Sequence, residues 1–151
     1  MQFTMVHRNE QEKVFISVKN NDTVALTAGL AVKFSATTTD ADQGRLVELI
    51  ENTFSVTAGT VGHVAGIVES DIAVGEVGRV QGYGPADCTF GADTAVGLGV
   101  IAGHATDGRV SGASVTAGQY SPTAQLAVIG TTLEAVTISS STTGSVFLSL
   151  M

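Results

Sequence analysis

Short apolar segments, each ended by glycine or by a polar cluster, follow one another along most of this 151-residue chain. Residues 13–19 (KVFISVK) alternate apolar and polar side chains, the period of two expected of a half-buried strand. Residues 126–130, 133–138 and 146–150 are further apolar runs of strand length. Short strands with turn signals every about 8 to 12 residues predict an all-β fold, a compact β-sandwich or β-barrel.

Glycine divides residues 56–90 into short Val-rich runs that carry few charged side chains. We expect each glycine to occupy a turn with positive φ or a β-bulge. The tripeptide Thr-Ala-Gly begins at Thr27, Thr57 and Thr116, and residues 71–75 (DIAVG) are echoed by residues 93–97 (DTAVG). We interpret these motifs as a recurring turn device before Val-rich strands, and not as a true repeat.

One segment has helical as well as strand character. Residues 45–52 (RLVELIEN) place apolar side chains on one helical face, but the segment is short and lies between strands. A strand is the better prediction because isolated helices of this length are marginal. Residues 1–12 are polar and predict an extended N-terminal arm, with simple terminal disorder as the alternative. Residues 13–151 then form a single β domain that ends on the apolar run VFLSLM.

Composition adds a surface argument. Charged residues make up 14 % of the chain, against about 25 % in an ordinary globular domain. Hydrophobic residues make up 44 %, but aromatic residues only 5 %, so the core is expected to consist of Val, Ala, Leu and Ile. The scarcity of charge predicts that part of the surface is buried against partner chains. An ordinary Thr-rich β surface is the alternative.

The charge and the cysteine content exclude several classes of protein. A net charge of −7 argues against nucleic-acid binding, which uses Lys and Arg patches. No apolar run approaches the roughly 20 residues of a membrane helix, and the first residues lack the apolar core of a secretory signal. Cys88 is the one cysteine, so no intrachain disulfide forms. These features predict synthesis in a reducing cytoplasm, with neither membrane nor nucleic acid as partner.

Two local patterns resemble binding motifs but are incomplete. Residues 97–102 match the dinucleotide fingerprint G-x-G-x-x-A, yet GHATDG follows, which predicts a turn where the motif requires a helix. Asp40 and Asp42 lie in the polar loop TTTDADQG, without the remainder of a calcium loop. Neither pattern predicts a cofactor or metal site.

The nucleophile and metal-ligand residue types are equally isolated. His7, His63 and His104 have no second ligand at zinc-site spacing. Cys88 paired with His63 or His104 would be a thiol nucleophile, but no flanking motif supports the pair. We therefore predict that the protein is not an enzyme and has no catalytic, cofactor-binding or metal-binding residue.

A pattern of Ala, Val and Gly with frequent turns occurs in residues 12–20, 26–34, 63–68, 72–84 and 146–150. Together these segments resemble the head decoration (cement) proteins of tailed bacteriophages. The resemblance implies a β-barrel or β-sandwich body, often a trimer, at three-fold or quasi-three-fold junctions of the capsid. It also implies a terminal extension over neighbouring shell subunits, and it supplies no catalytic residues.

The resulting hypothesis is a virion structural protein on the capsid exterior, made in the cytoplasm of the host bacterium. It would act as a homotrimer that binds between subunits of the major capsid protein and stabilises the shell. The alternative is a tail-fibre or receptor-binding tip domain, which would be expected to expose aromatic rings for glycan stacking. The chain has two Tyr, six Phe and no Trp.

Overall fold

The computed structural model describes residues 12–35, 44–50, 64–102, 107–112, 128–139 and 142–150. Within these ranges every regular element is a strand, which confirms the all-β prediction. The strands are β1 (Val14–Asn20), β2 (Ala31–Phe34), β3 (Leu46–Leu49), β4 (Val64–Val68), β5 (Val77–Thr89), β6 (Gly99–Ala102), β7 (Val110–Gly112), β8 (Val128–Thr132) and β9 (Thr143–Ser149).

Five strands close into a first barrel. Their order is β1-β3-β2-β4-β5, and β5 pairs back onto β1. β1 and β3 run parallel, whereas the other neighbours are antiparallel. Closure pairs both edges of the sheet, which an open sandwich would leave exposed. The interior holds the buried side chains Val18, Leu26, Val32, Val47, Ala65, Val68, Ile72 and Val80.

The other strands continue from β5 into a second barrel. Their order is β5-β9-β8-β6-β7. A parallel bridge between Phe90 and Val110 returns β7 to the end of β5 and completes the ring. The interior contains Cys88, Phe90, Val100, Val110, Ile129, Val136, Val146 and Leu148.

The two barrels repeat each other in chain order, pairing and register. Strands β1 to β5 of the first correspond to the end of β5 and β6 to β9 of the second, and the parallel pair β1–β3 corresponds to the bridge that links β5 to β7. Each barrel has a register shift and an isolated antiparallel bridge at the same place, and the β1–β5 pair of the first barrel has a further shift at Val14/Phe15. The corresponding shifts lie at Val32/Lys33 and Val100/Ile101, and the bridges are Leu26–Ile72 and Thr94–Val136. The two barrels therefore form a tandem structural repeat, which was not predicted from the sequence. The motifs DIAVG and DTAVG do not mark this repeat, because Ile72 corresponds to Val136 and Thr94 corresponds to Leu26.

Strand β5 belongs to both barrels. Its first half pairs with β1 and β4, and the half from Tyr83 to Thr89 pairs with β9. It is 13 residues long, so the prediction of short strands throughout residues 56–90 is wrong here. Gly78 and Gly84 lie inside the strand at points where a Cβ would overlap a neighbour, the Ile72 side chain at Gly78 and the Glu12 backbone at Gly84, and Gly84 has φ +89°.

Other predictions have mixed outcomes. Residues 46–49 form a strand, and β9 holds the chain end from Thr143 to Ser149 in the sheet, as expected. Residues 133–138 do not form a strand, because Val136 alone forms a β-bridge there. The tight turns are confirmed at Gly29, Gly75 and Gly97, where φ lies between +77° and +85°. The arm up to residue 11 and the turns at Thr57 and Thr116 lie outside the described residues.

Candidate interaction surfaces

The two barrels contact each other at a junction, which buries part of the surface of the first barrel. Residues Gly29 to Ala31, at the start of β2, insert between the end of β5 and the start of β7. The Thr89 N–H donates to Gly29 O at 2.8 Å, and the Ala31 N–H donates to Gly108 O at 2.6 Å. Gly108 also donates its N–H to Ile50 O at 2.8 Å. Three backbone hydrogen bonds thus join the barrels.

Apolar packing accompanies these hydrogen bonds. Ala31, Ile50 and Ile67 belong to the first barrel, yet they are almost fully buried in the same cluster as the interior of the second barrel. Burial of an Ile side chain is worth about 2 kcal/mol. The first barrel therefore has two apolar faces, one towards its own interior and one towards its neighbour.

Large apolar side chains also reach the solvent. They lie in turns and at strand ends and are Val24, Val74, Val77, Val96, Leu98, Val128 and Leu133. Val77 is 64 % exposed and lies opposite Lys19 in the β1–β5 register. Leu98 is 40 % exposed and follows the turn glycine Gly97. These are the described residues best suited to contact another protein.

Cys88 is unsuited to the nucleophilic role considered above. Its thiol is buried in the second barrel, and burial, followed by the nearby Asp87 carboxylate, raises its pKa to about 12. The thiol is therefore protonated at neutral pH and acts as a small apolar core residue. His7, His63 and His104 lie outside the described residues.

The dinucleotide-like motif has strand geometry. Gly97 occupies a tight turn and residues 99–102 form β6, so no helix N-terminus faces a phosphate here. Asp40 and Asp42 lie outside the described residues. In the described part of the chain no group of three or more His, Cys, Asp or Glu side chains has the arrangement of a metal site.

An open hollow of about 280 Å³ lies beside the first barrel, lined by Asp22, Thr23, Val24, Glu48, Leu49 and Asp107. The Asp22 carboxylate accepts hydrogen bonds from the backbone N–H groups of Thr23 at 2.6 Å and Leu49 at 2.9 Å. These bonds give Asp22 a structural role, because they fasten the loop after β1 to β3.

No protein-family description and no curated protein matches the chain. Among solved structures, the chain is similar to the head fiber gp8.5 N base of bacteriophage phi29, with a TM-score of 0.55. The match covers 91 % of this chain and 96 % of that chain, at 16 % sequence identity. The two proteins share a fold. At this identity the comparison concerns the path of the backbone and transfers no side-chain role.

Neither the junction nor the structural repeat of the two barrels was predicted from the sequence, although the sequence contains a weak sign of the repeat. Gly29-Leu30-Ala31-Val32 has the counterpart Gly97-Leu98-Gly99-Val100, and a Gly-Arg pair precedes both β3 and β7. Each match is too short to stand out by itself. Comparing the two halves at spacings of 63 to 70 residues would have aligned them. No helix in the described residues is long and apolar enough to cross a membrane.

Proposed function

We propose that this protein is a structural component of a tailed-bacteriophage virion, attached to the outside of the capsid. As a homotrimer it would bind between subunits of the major capsid protein and stabilise the shell. The observation that carries the proposal is the fold, which the chain shares over 91 % of its length with the base of a phage head fibre. The proposal includes no catalytic role.

The architecture suits such a role. Two closed rings joined by one continuous strand make a rigid body, since every strand of the first ring is hydrogen-bonded on both sides. A protein that decorates a lattice acts in many copies, so that a modest contact at each site adds up through multivalency. Exposed valines and leucines supply modest apolar contacts of this kind.

A second candidate is the base of a fibre on the phage head. The same structural similarity favours it, because the solved relative is itself a head-fibre base. A glycan-binding tip is less well supported. In the described part of the chain every aromatic side chain is buried or half-buried, including Tyr83 and Phe147, whose rings pack edge to face at 5.4 Å. A stacking platform for sugars needs an exposed ring face.

The copy number in purified virions tests the proposal. We expect quantitative mass spectrometry of particles to find this protein in numbers comparable with the major capsid protein. Particles that lack it should lose their DNA at a lower temperature, and adding the purified protein back should restore the original temperature. A few tens of copies per particle would favour the fibre base over the decoration role. Absence from the particle would overturn both.

A further inference from the structure

The contact face that the first barrel uses at the junction recurs, uncovered, on the second barrel. We call this the outgoing face: Gly29, Leu30 and Ala31 in the first barrel and Gly97, Leu98 and Gly99 in the second. The correspondence rests on hydrogen bonds. Gly29 donates its N–H to Val68 O at 2.9 Å, and Gly97 donates its N–H to Thr132 O at 3.0 Å.

Space around the two glycines shows which copy of the face is occupied. A Cβ added at Gly29 would lie 2.8 Å from Thr89 Oγ1, across the junction. A Cβ added at Gly97 would meet nothing within 4 Å. Leu98, the counterpart of Leu30, is 40 % exposed. The outgoing face of the second barrel is therefore open.

The opposite half of the junction also has a solvent-exposed counterpart, although its backbone groups are hydrogen-bonded to each other. We call this the receiving face: Thr89 and Gly108 in the second barrel, and Lys19 with the Gly44-Arg45 pair in the first. A Cβ at Gly108 would meet the side chains of Leu49 and Leu30 at 2.8 and 3.2 Å, whereas Arg45, its counterpart in the strand register, is exposed to solvent. Val77, the most exposed large apolar side chain among the described residues, lies beside Lys19.

We infer that the outgoing face of one copy of this chain docks on the receiving face of the next copy. The new contact would repeat the junction inside each chain, so the occupant of both open faces is a second copy. Such a head-to-tail contact uses two different patches, and it closes into a ring when the rotation permits. The inference rests on the homotrimer in the proposed function and names the residues of its seam.

Docking requires one exchange of backbone hydrogen bonds. In the first barrel the Lys19 N–H donates to Arg45 O at 2.7 Å, which closes the receiving face. At the junction the counterpart groups of Thr89 and Gly108 are separated, and each bonds to the inserted segment instead. Two intermolecular hydrogen bonds would thus replace one intramolecular bond.

The open outgoing face is less apolar than the buried one. Ile67, which pairs with Ala31 and is buried at the junction, has the exposed counterpart Thr131, which pairs with Gly99. A surface that meets solvent before assembly is expected to be more polar than a permanent one. This difference fits a contact between chains that fold separately and then associate.

The mass of the purified full-length protein in solution tests the seam. Light scattering and sedimentation should report a trimer for the wild type and a monomer for Leu98→Asp, with at least a tenfold weaker association. Leu133→Asp is the matched control. Leu133 is 47 % exposed in the same barrel, but its counterpart Glu69 is exposed and takes no part in the junction, so this variant should remain trimeric. Circular dichroism should show both variants folded.

The possible outcomes distinguish an error in the inferred contact from an error in the proposed oligomeric state. A wild-type trimer that Leu98→Asp leaves intact would overturn the seam and leave the proposed trimer standing. A wild type that stays monomeric at high concentration would overturn both, while the virion role would still be judged by copy number.

Cross-linking tests whether the outgoing face and the receiving face contact each other. A variant carrying both Lys19→Cys and Leu98→Cys, treated with a short bismaleimide, should give covalent dimers and trimers, since the buried Cys88 does not react. Each single variant should give no such products. Equal products from a single variant, or none from the double variant, would contradict the inferred contact.

Discussion

The Cys88 thiol lies in the interior of the second barrel, where burial and then the Asp87 carboxylate raise its pKa from the ordinary value of 9.0 to about 12. The folded state therefore keeps the proton over a pH range in which the unfolded chain releases it. Stabilisation by the neutral thiol is complete below about pH 9 and is lost as the pH rises towards 12.

This pKa shift predicts a specific alkaline destabilisation. Between pH 9 and pH 12 the free energy of unfolding of the wild type should fall more steeply than that of Cys88→Ala. The extra slope cannot exceed about 1.4 kcal/mol per pH unit for one proton. Urea unfolding at a series of pH values measures both slopes. Parallel slopes for the two proteins would show that Cys88 is accessible and titrates normally.

Two glycines are required for different physical reasons. Gly75 has open space around a Cβ, but its φ is +77°, a region that other residues adopt at a cost of about 1 to 2 kcal/mol. Gly144 lies in β9, where a Cβ would overlap the Val136 side chain and approach the Phe90 ring at 3.2 Å. Both of those neighbours are buried in the second barrel's core.

We expect both glycine substitutions to destabilise the protein, and only one of them to disturb the core. Gly75→Ala should lower the free energy of unfolding by about 1 kcal/mol without changing the environment of Phe90. Gly144→Ala should lower it by about 1 to 3 kcal/mol and shift the Phe90 ring resonances in NMR spectra. Unshifted Phe90 resonances in Gly144→Ala would contradict the packing described here.

Among the elements, β3 was predictable from sequence and β5 was not. The short apolar run LVEL, flanked by other strands, favoured β3 over a helix. The length of β5 depends on partners far away in the chain, with β1 on one half and β9 on the other. From the local sequence alone, the glycines inside β5 are interpreted as strand ends. The same limit applies to residues 133–138. This segment has high β propensity, but only Val136 forms a β-bridge there.

Interaction surfaces were less predictable than the fold class. The low charge indicated buried contacts, but it did not say where, because exposure of Leu98 or Val77 follows from non-local pairing. The apolar sequence around Cys88 is typical of a small buried residue, and the structure places its thiol in the core. The junction could not be predicted from the sequence, because it depends on which turns contact each other once the two barrels have closed.

At the scale of the whole molecule, the two barrels are expected to unfold as one unit. They share β5, and three side chains of the first barrel complete the core of the second. Val80 and Val146 are counterparts, and both are fully buried, one in each interior. Shared strands and shared packing make partial unfolding costly, since either barrel alone would lose its partner surface.

Matched core substitutions test this cooperativity. Val80→Ala and Val146→Ala should each lower the free energy of unfolding by about 2 kcal/mol, and each should shift one common transition. Calorimetry should give equal calorimetric and van't Hoff enthalpies for all three proteins. Two transitions, each sensitive to only one of the substitutions, would show that the barrels unfold independently.

The shared strand also determines which shortened or lengthened chains can exist. A fragment that ends before β5, or begins after it, leaves one ring open along a whole edge, and exposed edges promote aggregation. Neither half is therefore a separable module, although the two halves share one topology. Lengthening the chain at its ends is different, because a third barrel could use the last strand of the second barrel as its own first strand. This architecture can be lengthened by whole repeats but cannot be halved.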